Sequence, residues 1–590
     1  MDLVWITAPE FGIHCFQPGR DIYLKGINMK ETSLSQIDQA LSQLQSNKDR
    51  WASSAIPQRL AILEQLTRDI LSIADKWVAA GLSAKALPRD SMGEAEEWLY
   101  VAAIMRCLRM IRKTLLEIQR YGKPRLPGKV TRTIHGQTAV QVFPRDLWDT
   151  IVYRGDRAEV WMEPGVTISK ADSWHTWQNP PADTDGKVAL VLGAGNVSFL
   201  PVIDLLHRLF VRNQVVVIKL NPVNDYLGPL METGLRALIQ PGYLQIVYGG
   251  ANQGSYLTQH PLVDEMHLTG SINTFETIVF GPGEEGQQRK ASRDPKISKP
   301  FTCELGNVSP VIVVPGPWSK ADLQDQAEQI ATWFTGNAGF GCLNPRMILQ
   351  HANWEARRPF LDAIVEVLGK IRTRRAYYPG ASDLLNQYLT AHPSALQIGN
   401  PSGEELPWTI VPDLDPSQRD DICFTQEAFC SLMGETGLEA ADTIDFIQRA
   451  VEFANSTLWG SLCATILVHP ASLRDLAVAA AVDSAIANLR YGSVTVNLSS
   501  FIPVYSQVTP WGGYPGNPMH DVQSGIGKTS NTFMFAHPQK SVWWGPFRKY
   551  PDPLRATARR PATLARKIAM VEGSPSLLKI PGLLWSSLVD

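Results

Sequence analysis

Three short segments combine residue types that can do carbonyl chemistry. The loop Asn337-Ala338-Gly339-Phe340-Gly341-Cys342 sets a thiol among glycines after a helix, where a substrate can approach closely and backbone N–H groups can face a developing negative charge. Glu304, in Cys303-Glu304-Leu305-Gly306-Asn307, stands between apolar stretches where an uncompensated charge is costly, and a carboxylate beside a thioester can serve as general base. Gly193-Ala194-Gly195-Asn196 ends a strand and opens a helix; its glycines permit a tight turn, and the Asn196 amide can donate to an oxyanion. Taken singly, each has an ordinary structural explanation: a small buried hydrophobe, a salt-bridged glutamate at a strand end, an asparagine capping a helix. Only the three together suggest nucleophile, base and oxyanion donor.

The elements that must position these groups are legible from periodicity. From Glu31 to about Arg120, apolar residues recur at helical spacing (Leu60, Leu63, Leu66, Ile70; then Ile104, Leu108, Ile111, Leu115). Between Pro127 and Trp161 the chain is richer in Val, Ile, Thr and aromatics, and the alternation of Thr138, Val140 and Val142 predicts strands. Short apolar runs at Val188 to Leu192, Val215 to Ile218 and Leu244 to Val247, with a helical segment from Pro201 to Arg212, predict parallel βαβ units. The run Val311 to Val314 precedes Ser319, whose hydroxyl can cap a helix reaching toward Trp333, with Asp322 in its first turn. Later, Phe446, Ile447, Ala450 and Val451 predict a helix, Ala464 to Val468 a strand, Leu473 to Leu489 an Ala-rich helix, and Gly492 to Val496 another strand. The last forty residues hold a basic stretch (Arg555, Arg559, Arg560, Arg566, Lys567), which reads on composition as a solvated surface tail, and a short apolar end.

Composition narrows the partners. With 590 residues, 44% hydrophobic and 19% charged, the chain can bury large cores in two or three domains. Lys and Arg total 55 against 57 Asp and Glu, a formal charge of −2 that offers no electrostatic footprint for nucleic acid or an acidic membrane surface. The seven cysteines (Cys15, Cys107, Cys303, Cys342, Cys423, Cys430, Cys463) form no C-x-x-C pair and no metal-ligand spacing with histidine, so neither a metal site nor a disulfide scaffold is expected. No apolar run approaches the ~20 residues that span a bilayer, and a reduced, cytoplasmic protein acting on small molecules is expected.

In this order, the three segments resemble the aldehyde dehydrogenase superfamily, and the resemblance extends over roughly residues 50 to 530. Lys219, closing Val216-Val217-Ile218-Lys219, stands where that family keeps a lysine on the cofactor ribose. Gly270 and Ser271, in Leu268-Thr269-Gly270-Ser271, match its turn under the cofactor pyrophosphate. Glu427 and Phe429, in Gln426-Glu427-Ala428-Phe429, match its Glu-x-Phe element, whose glutamate holds the nicotinamide ribose. Trp511-Gly512-Gly513 followed by Ser524-Gly525-Ile526-Gly527 resembles its C-terminal glycine pattern. Val191 to Pro229 and Glu304 to Pro310 look particularly like the branch of long-chain acyl-CoA reductases. Two positions depart from the family: Phe340 replaces the usual Gln, and Phe275 the second glycine of the pyrophosphate turn. Pro222 occupies the place of a glutamate that favours NAD, which leaves NADP open.

The resemblance implies an α/β fold: a Rossmann-like cofactor domain, an α/β catalytic domain carrying Cys342, and a small β oligomerisation element. The expected boundaries are 1–128 (helical part of the cofactor domain), 129–161 (strand-rich oligomerisation element), 162–304 (cofactor-binding core), 305–497 (catalytic domain), 498–545 (return and oligomerisation segment) and 546–590 (extension). It further implies a homodimer or homotetramer, NAD or NADP as cofactor, and an aldehyde or acyl thioester as substrate. Cys342, Glu304 and Asn196 would carry the chemistry, and Lys219, Gly270, Ser271, Glu427 and Phe429 the cofactor. The expected reaction is oxidation of an aldehyde to a carboxylate through a thioester on Cys342. The alternatives are reduction of an acyl-CoA to an aldehyde, and a catalytically silent binding protein on the same fold.

Overall fold

The computed structural model describes residues 30–168, 185–548 and 554–582. Cys15 and the apolar chain end lie outside the described residues. Helix α1 (Leu34–Ala52) starts at a capping box in which Ser33 Oγ accepts from Gln36 N, while Gln36 Oε1 accepts from Ser33 N. Helices α2 (Ile56–Lys85) and α3 (Met92–Tyr121) follow. Most of α3 is buried, because α2 covers one side and the C-terminal part of the chain another.

Strands β1 (Val130–Arg132), β2 (Thr138–Phe143) and β3 (Arg157–Met162) precede the dinucleotide-type unit. That unit contains β4 (Val188–Leu192), α4 (Leu200–Leu206), β5 (Val215–Lys219), β6 (Leu244–Val247), β7 (Glu265–Thr269), α5 (Ile272–Val279) and β8 (Phe301–Glu304). Its sheet has the order β18-β8-β7-β4-β5-β6, with β18 (Gly525–Ile526) antiparallel on β8 and the remaining pairs parallel. Strand order reverses at β4, between β5 and β7, so the crevice for a ligand lies beyond the carboxyl ends of these strands.

The second sheet has eleven strands. It is built from β9 (Pro310–Val313), β10 (Met347–His351), β12 (Leu396–Ile398), β14 (Trp408–Leu414), β15 (Leu432–Leu438), β16 (Cys463–Leu467), β17 (Ser493–Val496) and β19 (Pro538–Trp544), joined by β1 to β3. A two-residue ribbon, β11 (Arg374–Arg375) with β13 (Glu405–Leu406), stands apart. The strand-rich element is continuous with this sheet, because β19 pairs in parallel with β17 on one side and antiparallel with β3 on the other. Helix α6 (Lys320–Thr335) connects β9 to the cysteine loop and starts at Ser319, whose hydroxyl accepts from Asp322 N, as its sequence predicts.

Three expectations change. The helix expected over Pro201 to Arg212 is α4 followed by a π-turn, His207–Val211, a wider winding often found beside functional groups. The Ala-rich helix begins at Leu476 rather than Leu473, because Ser472–Arg474 forms a 3₁₀ turn and Asp475 caps the α-helix by accepting from Ala477 N. The basic stretch is solvated at Arg559, Arg560, Arg566 and Lys567 but not at Arg555. Arg555 is buried against Asp325 and Glu328 at 2.7 Å each, and helix α7 (Pro561–Gly573) packs on α3. There Arg106 of α3, fully buried, pairs with Asp149 at 2.9 Å and with Glu572 of α7 at 3.0 Å, while Glu572 also binds Arg109 at 2.7 Å. Among the described residues, no helix is long and apolar enough to cross a membrane.

Removing one member of a buried ion group strands the others without compensation. Arg106→Ala, which leaves Asp149 and part of Glu572 unpaired, is expected to lower the unfolding free energy by about 3–5 kcal/mol in a urea titration.

Candidate active site

The residues singled out in the sequence converge on the carboxyl ends of the strands in the first sheet. Gly193 follows β4, Lys219 ends β5, Gly270 and Ser271 follow β7, and Glu304 ends β8. Two backbone bonds lock these ends together, Gly193 N to Lys219 O and Gly270 N to Glu304 O, both 3.1 Å. Cys342 comes from the second sheet's side of the cleft, in the loop between α6 and β10.

The cysteine loop is bent by three successive left-handed residues, Asn337 (φ 51°), Ala338 (φ 58°) and Gly339 (φ 87°). At Gly339 a side chain is excluded outright, since a Cβ there would lie 2.7 Å from the Cys430 carbonyl. Arg346, buried beneath the loop, donates to the carbonyls of Gly339, Gly341 and Cys430. Asn344 donates to Phe334 O and Gly336 O, joining the loop to the end of α6. The backbone carbonyls of this tight turn thus find donors despite being buried.

This bend delivers Cys342 Sγ to 3.2 Å from Glu304 Oε1. The thiol is half-buried, whereas the other described cysteines are buried. Burial, followed by the negative charges of Glu304 and Glu427, pushes the Cys342 thiol well above its usual range, so the resting group is a thiol donating to the carboxylate. Glu304 is itself pushed up to about 7 by burial and then by Asp204, against the opposing hydrogen bonds of Trp511 and Cys342. A carboxylate near neutrality facing a thiol can take its proton on demand.

Asn196 lies at the same place. Its Nδ2 donates to Phe340 O at 2.9 Å, and its second amide hydrogen is left for another acceptor. Its position is fixed by groups the sequence reading did not identify. Asn337 Nδ2 and Tyr377 Oη both donate to Asn196 O, at 2.9 and 2.6 Å, and Lys85 Nζ bridges Asn337 Oδ1 to Glu97 at 3.1 and 2.7 Å. Lys85 ends α2 and Glu97 lies in the second turn of α3, so the helical opening segment braces the Asn196 side of the site.

Glu427 lies against Gly306, where a Cβ would fall 1.8 Å from its Oε2; glycine is what lets the carboxylate in. Burial pushes Glu427 up to about 7 against the opposing effect of Arg346, and its buried Oε1 has no hydrogen-bond partner. Phe429 joins Phe340, Tyr377 and Tyr378 in an aromatic group with ring separations of 5.0 to 6.4 Å. Phe340, the departure at the Gln position, thus packs within this group. The other departure is also buried: Phe275 faces inward from α5 against Phe301 at 5.3 Å, leaving Gly270 and Ser271 exposed at the start of α5.

Lys219 and its neighbours form the second half of the cleft. Lys219 Nζ makes no hydrogen bond among the described residues, and burial lowers it to about 8 despite the nearby charges of Asp225 and Glu31. Asp225, three residues after the exposed Pro222, supplies a carboxylate in that region which motif matching missed. These features fit a dinucleotide: a largely buried cation without a bond, an exposed Gly-Ser turn at a helix start, and the orphaned Glu427 oxygen. Among the described residues, one trio with ligand atoms within 4.8 Å of one another, His392, Asp421 and Cys423, lies elsewhere; Asp421 there already caps a helical turn.

With this geometry established, comparison with known proteins gives a consistent result. Residues 199–381 match the aldehyde dehydrogenase family. Among curated relatives, an aldehyde dehydrogenase of a Fusarium species is 25% identical over 186 residues, 32% of each chain. The chloroplastic betaine aldehyde dehydrogenase of Amaranthus hypochondriacus is 27% identical over 295 residues, 47% of this chain and 51% of that one. The matched stretch thus spans from about a third to little more than half of the length of such relatives. The glyceraldehyde-3-phosphate dehydrogenase GapN of Methanocaldococcus jannaschii, solved with NADP, superposes with a TM-score of 0.58 at 15% identity, covering 88% of this chain and 96% of that one. Aldehyde dehydrogenase C of Pseudomonas syringae, solved with NAD+ and octanal, gives 0.58 at 16% identity, covering 88% and 91%. Residues 199–381 thus resemble the aldehyde dehydrogenase family, and the chain takes the fold of those solved enzymes.

The raised Glu304 fixes the sign of a stability effect. A carboxyl held at about 7 in the folded state, above its unfolded value, favours folding at low pH and loses that contribution as pH rises through 7. Glu304→Gln removes the penalty of the buried charge. The variant should therefore gain stability over the parent at pH 8.5 by on the order of 1–3 kcal/mol, with little gain at pH 5, in paired denaturation curves.

Proposed function

We propose that this protein oxidises an aldehyde to a carboxylate with NAD(P) as cofactor, through a thioester on Cys342. The observation that carries the reading is the 3.2 Å contact between Cys342 Sγ and Glu304 Oε1, a thiol and a near-neutral carboxylate joined at the mouth of a dinucleotide-type crevice. Glu304 takes the thiol proton, and Cys342 sulfur attacks the aldehyde carbon. The oxygen that becomes negative is met by the Asn196 amide, held by Asn337 and Tyr377, and by the Cys342 backbone N–H. A bound nicotinamide dinucleotide supplies the acceptor for the hydride that leaves this carbon.

Lys219 and Glu427 are the residues placed to hold the two riboses, with Gly270 and Ser271 under the pyrophosphate and Phe429 beside the nicotinamide end. Asp225 and Glu31 place negative charge around Lys219, which opposes a 2′-phosphate and supports NAD over NADP. Once the thioester has formed and Glu304 has lost the thiol proton, Glu304 deprotonates a water, the C–S bond breaks, the Cys342 thiolate takes this proton back from Glu304, and the acid leaves. Transfer to coenzyme A needs no such base, since its thiol is already a good nucleophile, so the Glu304 contact favours hydrolysis over the acyl-CoA reductase reading. The strand-rich element around β1 to β3 and β19 is the surface proposed for self-association into a dimer or tetramer.

A panel of straight-chain aldehydes and acyl-CoAs, followed by NAD(P)H absorbance, tests the reading. Cys342→Ala should lose turnover entirely while still binding the cofactor. Glu304→Gln, lacking the group that takes the thiol proton, should give one slowed burst of NAD(P)H per site and then stall as an acyl-enzyme, with turnover at least a hundredfold below the parent's. Steady conversion of acyl-CoA to aldehyde by that variant, from a parent inert toward aldehydes without coenzyme A, would establish the reductase reading instead.

A further inference from the structure

The face of β7 and β8 covered by α4 is expected to be apolar, yet a line of polar side chains crosses it. Alternation puts Glu265, His267 and Thr269 on one face of β7, and register sets His267 opposite Thr302 and Thr269 opposite Glu304. From α4 and its π-turn, Asp204 and Arg208 lie over this line. Thr269 Oγ1 donates to Asp204 Oδ2 at 2.7 Å, Asp204 Oδ1 lies 3.5 Å from His267 Nε2, and His267 Nδ1 is 2.9 Å from Thr302 Oγ1. Arg208 bonds the same Thr302 hydroxyl and pairs with Glu265 at 3.5 Å. Asp204 is 1% exposed and His267 2%, so a carboxylate and an imidazole have been buried in a sheet face where valine or leucine would cost nothing.

The line has two distinct ends. At one, Thr269, which donates to Asp204, stands opposite Glu304 in the register of β7 and β8, and Glu304 Oε2 is buried without a hydrogen-bond partner. At the other, Thr302 is part-exposed and touches Gly527, where a Cβ would lie 2.8 Å from Thr302 Cγ2. Gly527, His207, Arg212 and Lys528 border a cavity of about 490 Å³ that opens to the surface. The line of proton-accepting groups thus runs from beside Glu304 to Thr302, whose methyl packs against Gly527 at the border of that cavity.

We propose that Thr269, Asp204, His267 and Thr302 form the route by which the proton taken up by Glu304 leaves the active site. The proposal rests on Glu304 acting as the base in thioester hydrolysis. Glu304 takes the thiol proton as Cys342 is acylated, and it must lose that proton before it can act on water. It gives this proton to Asp204, through the Thr269 hydroxyl or one water between them; Asp204 passes it to His267 Nε2, and His267 releases the proton on Nδ1 toward Thr302 Oγ1. In hydrolysis the water oxygen then bonds to the thioester carbon, one water proton passes to the freed Glu304, the C–S bond breaks, and that proton returns to the Cys342 thiolate. One proton leaves by this line per turnover, and Cys342 ends as a thiol and Glu304 as a carboxylate. The charged and titratable groups facing the line are Cys107 of α3 and Glu304 around Asp204, and His207, Arg208 and Glu265 around His267. Asp204 and His267 are positioning and relay groups, since neither touches Cys342.

p-Nitrophenyl acetate provides the test, because it acylates a thiol without any redox step and so needs no cofactor. Acylation reads as a burst of p-nitrophenolate, one per Cys342, and deacylation as the steady rate that follows. Asp204→Asn and His267→Gln should keep the full burst and lower the steady rate at least tenfold, and millimolar imidazole or formate should restore part of it. Thr302→Val, at the part-exposed end, should give the same pattern and covers the case in which a buried variant fails to fold. A steady rate equal to the parent's in Thr302→Val and His267→Gln, or a loss of burst and steady rate together with no rescue, would overturn the relay. A Glu304→Gln variant that deacylates like the parent, or a parent without a Cys342-dependent burst, would remove the Glu304 reading and the relay with it.

Discussion

The contact between Cys342 Sγ and Glu304 Oε1 joins the two halves of the molecule, and much of the local structure serves to hold it. Glu304 ends a strand of the six-stranded sheet, and Cys342 leads into a strand of the eleven-stranded one. A 3.2 Å bond between groups so carried requires both sheets to be fixed to within a few tenths of an ångström. That requirement accounts for the three left-handed residues of the cysteine loop, the glycine forced at 339, and the buried Arg346 that gathers the loop's carbonyls. It also accounts for β18, which returns from late in the chain to pair with β8 beside Glu304.

Electrostatics at this point is dominated by burial. Glu304 and Glu427 both sit near 7, and Cys342 is held as a thiol, because charge in this cleft is poorly solvated and like charges add to one another. The result is a resting site with protons available and bases ready near neutral pH, rather than a permanent thiolate. The compensating cations lie one layer back, with Arg346 under the cysteine loop and Lys85 beside Glu97. Lys219 stands apart as an unbonded cation on the dinucleotide side.

The outer helices do more than cover the sheets. α2 and α3 reach Asn196 through Lys85, Glu97 and Asn337, and α3 is in turn locked to the C-terminal helix by Arg106 and Glu572. A disturbance at the end of the chain therefore has a physical line to Asn196: a buried ion group, a rigid helix, and a hydrogen-bond chain.

By itself, the sequence determined the groups whose signal is local. Cys342 among glycines, Glu304 in an apolar setting, Asn196 and Lys219 at strand ends, and the βαβ order are all read from windows of a few residues, and the structure gathers them at one crevice. The tertiary structure alone decided what depends on partners far away in the chain. Arg106 finds Glu572 across 466 residues, and Tyr377 finds Asn196 across 181, so no window of sequence shows either pair. Arg555 in the basic stretch near the end read as part of a tail for that reason: it is indistinguishable from its solvated neighbours until Asp325 and Glu328 are placed beside it. Asp204 falls between the two cases. A lone acid in the apolar run Pro201 to Leu206 is visible in the sequence, but only the packing of α4 on β7 shows that Thr269 and His267 meet it. Local patterns fix which chemistry a residue carries, and the long-range packing of sheets and helices fixes which groups that chemistry faces.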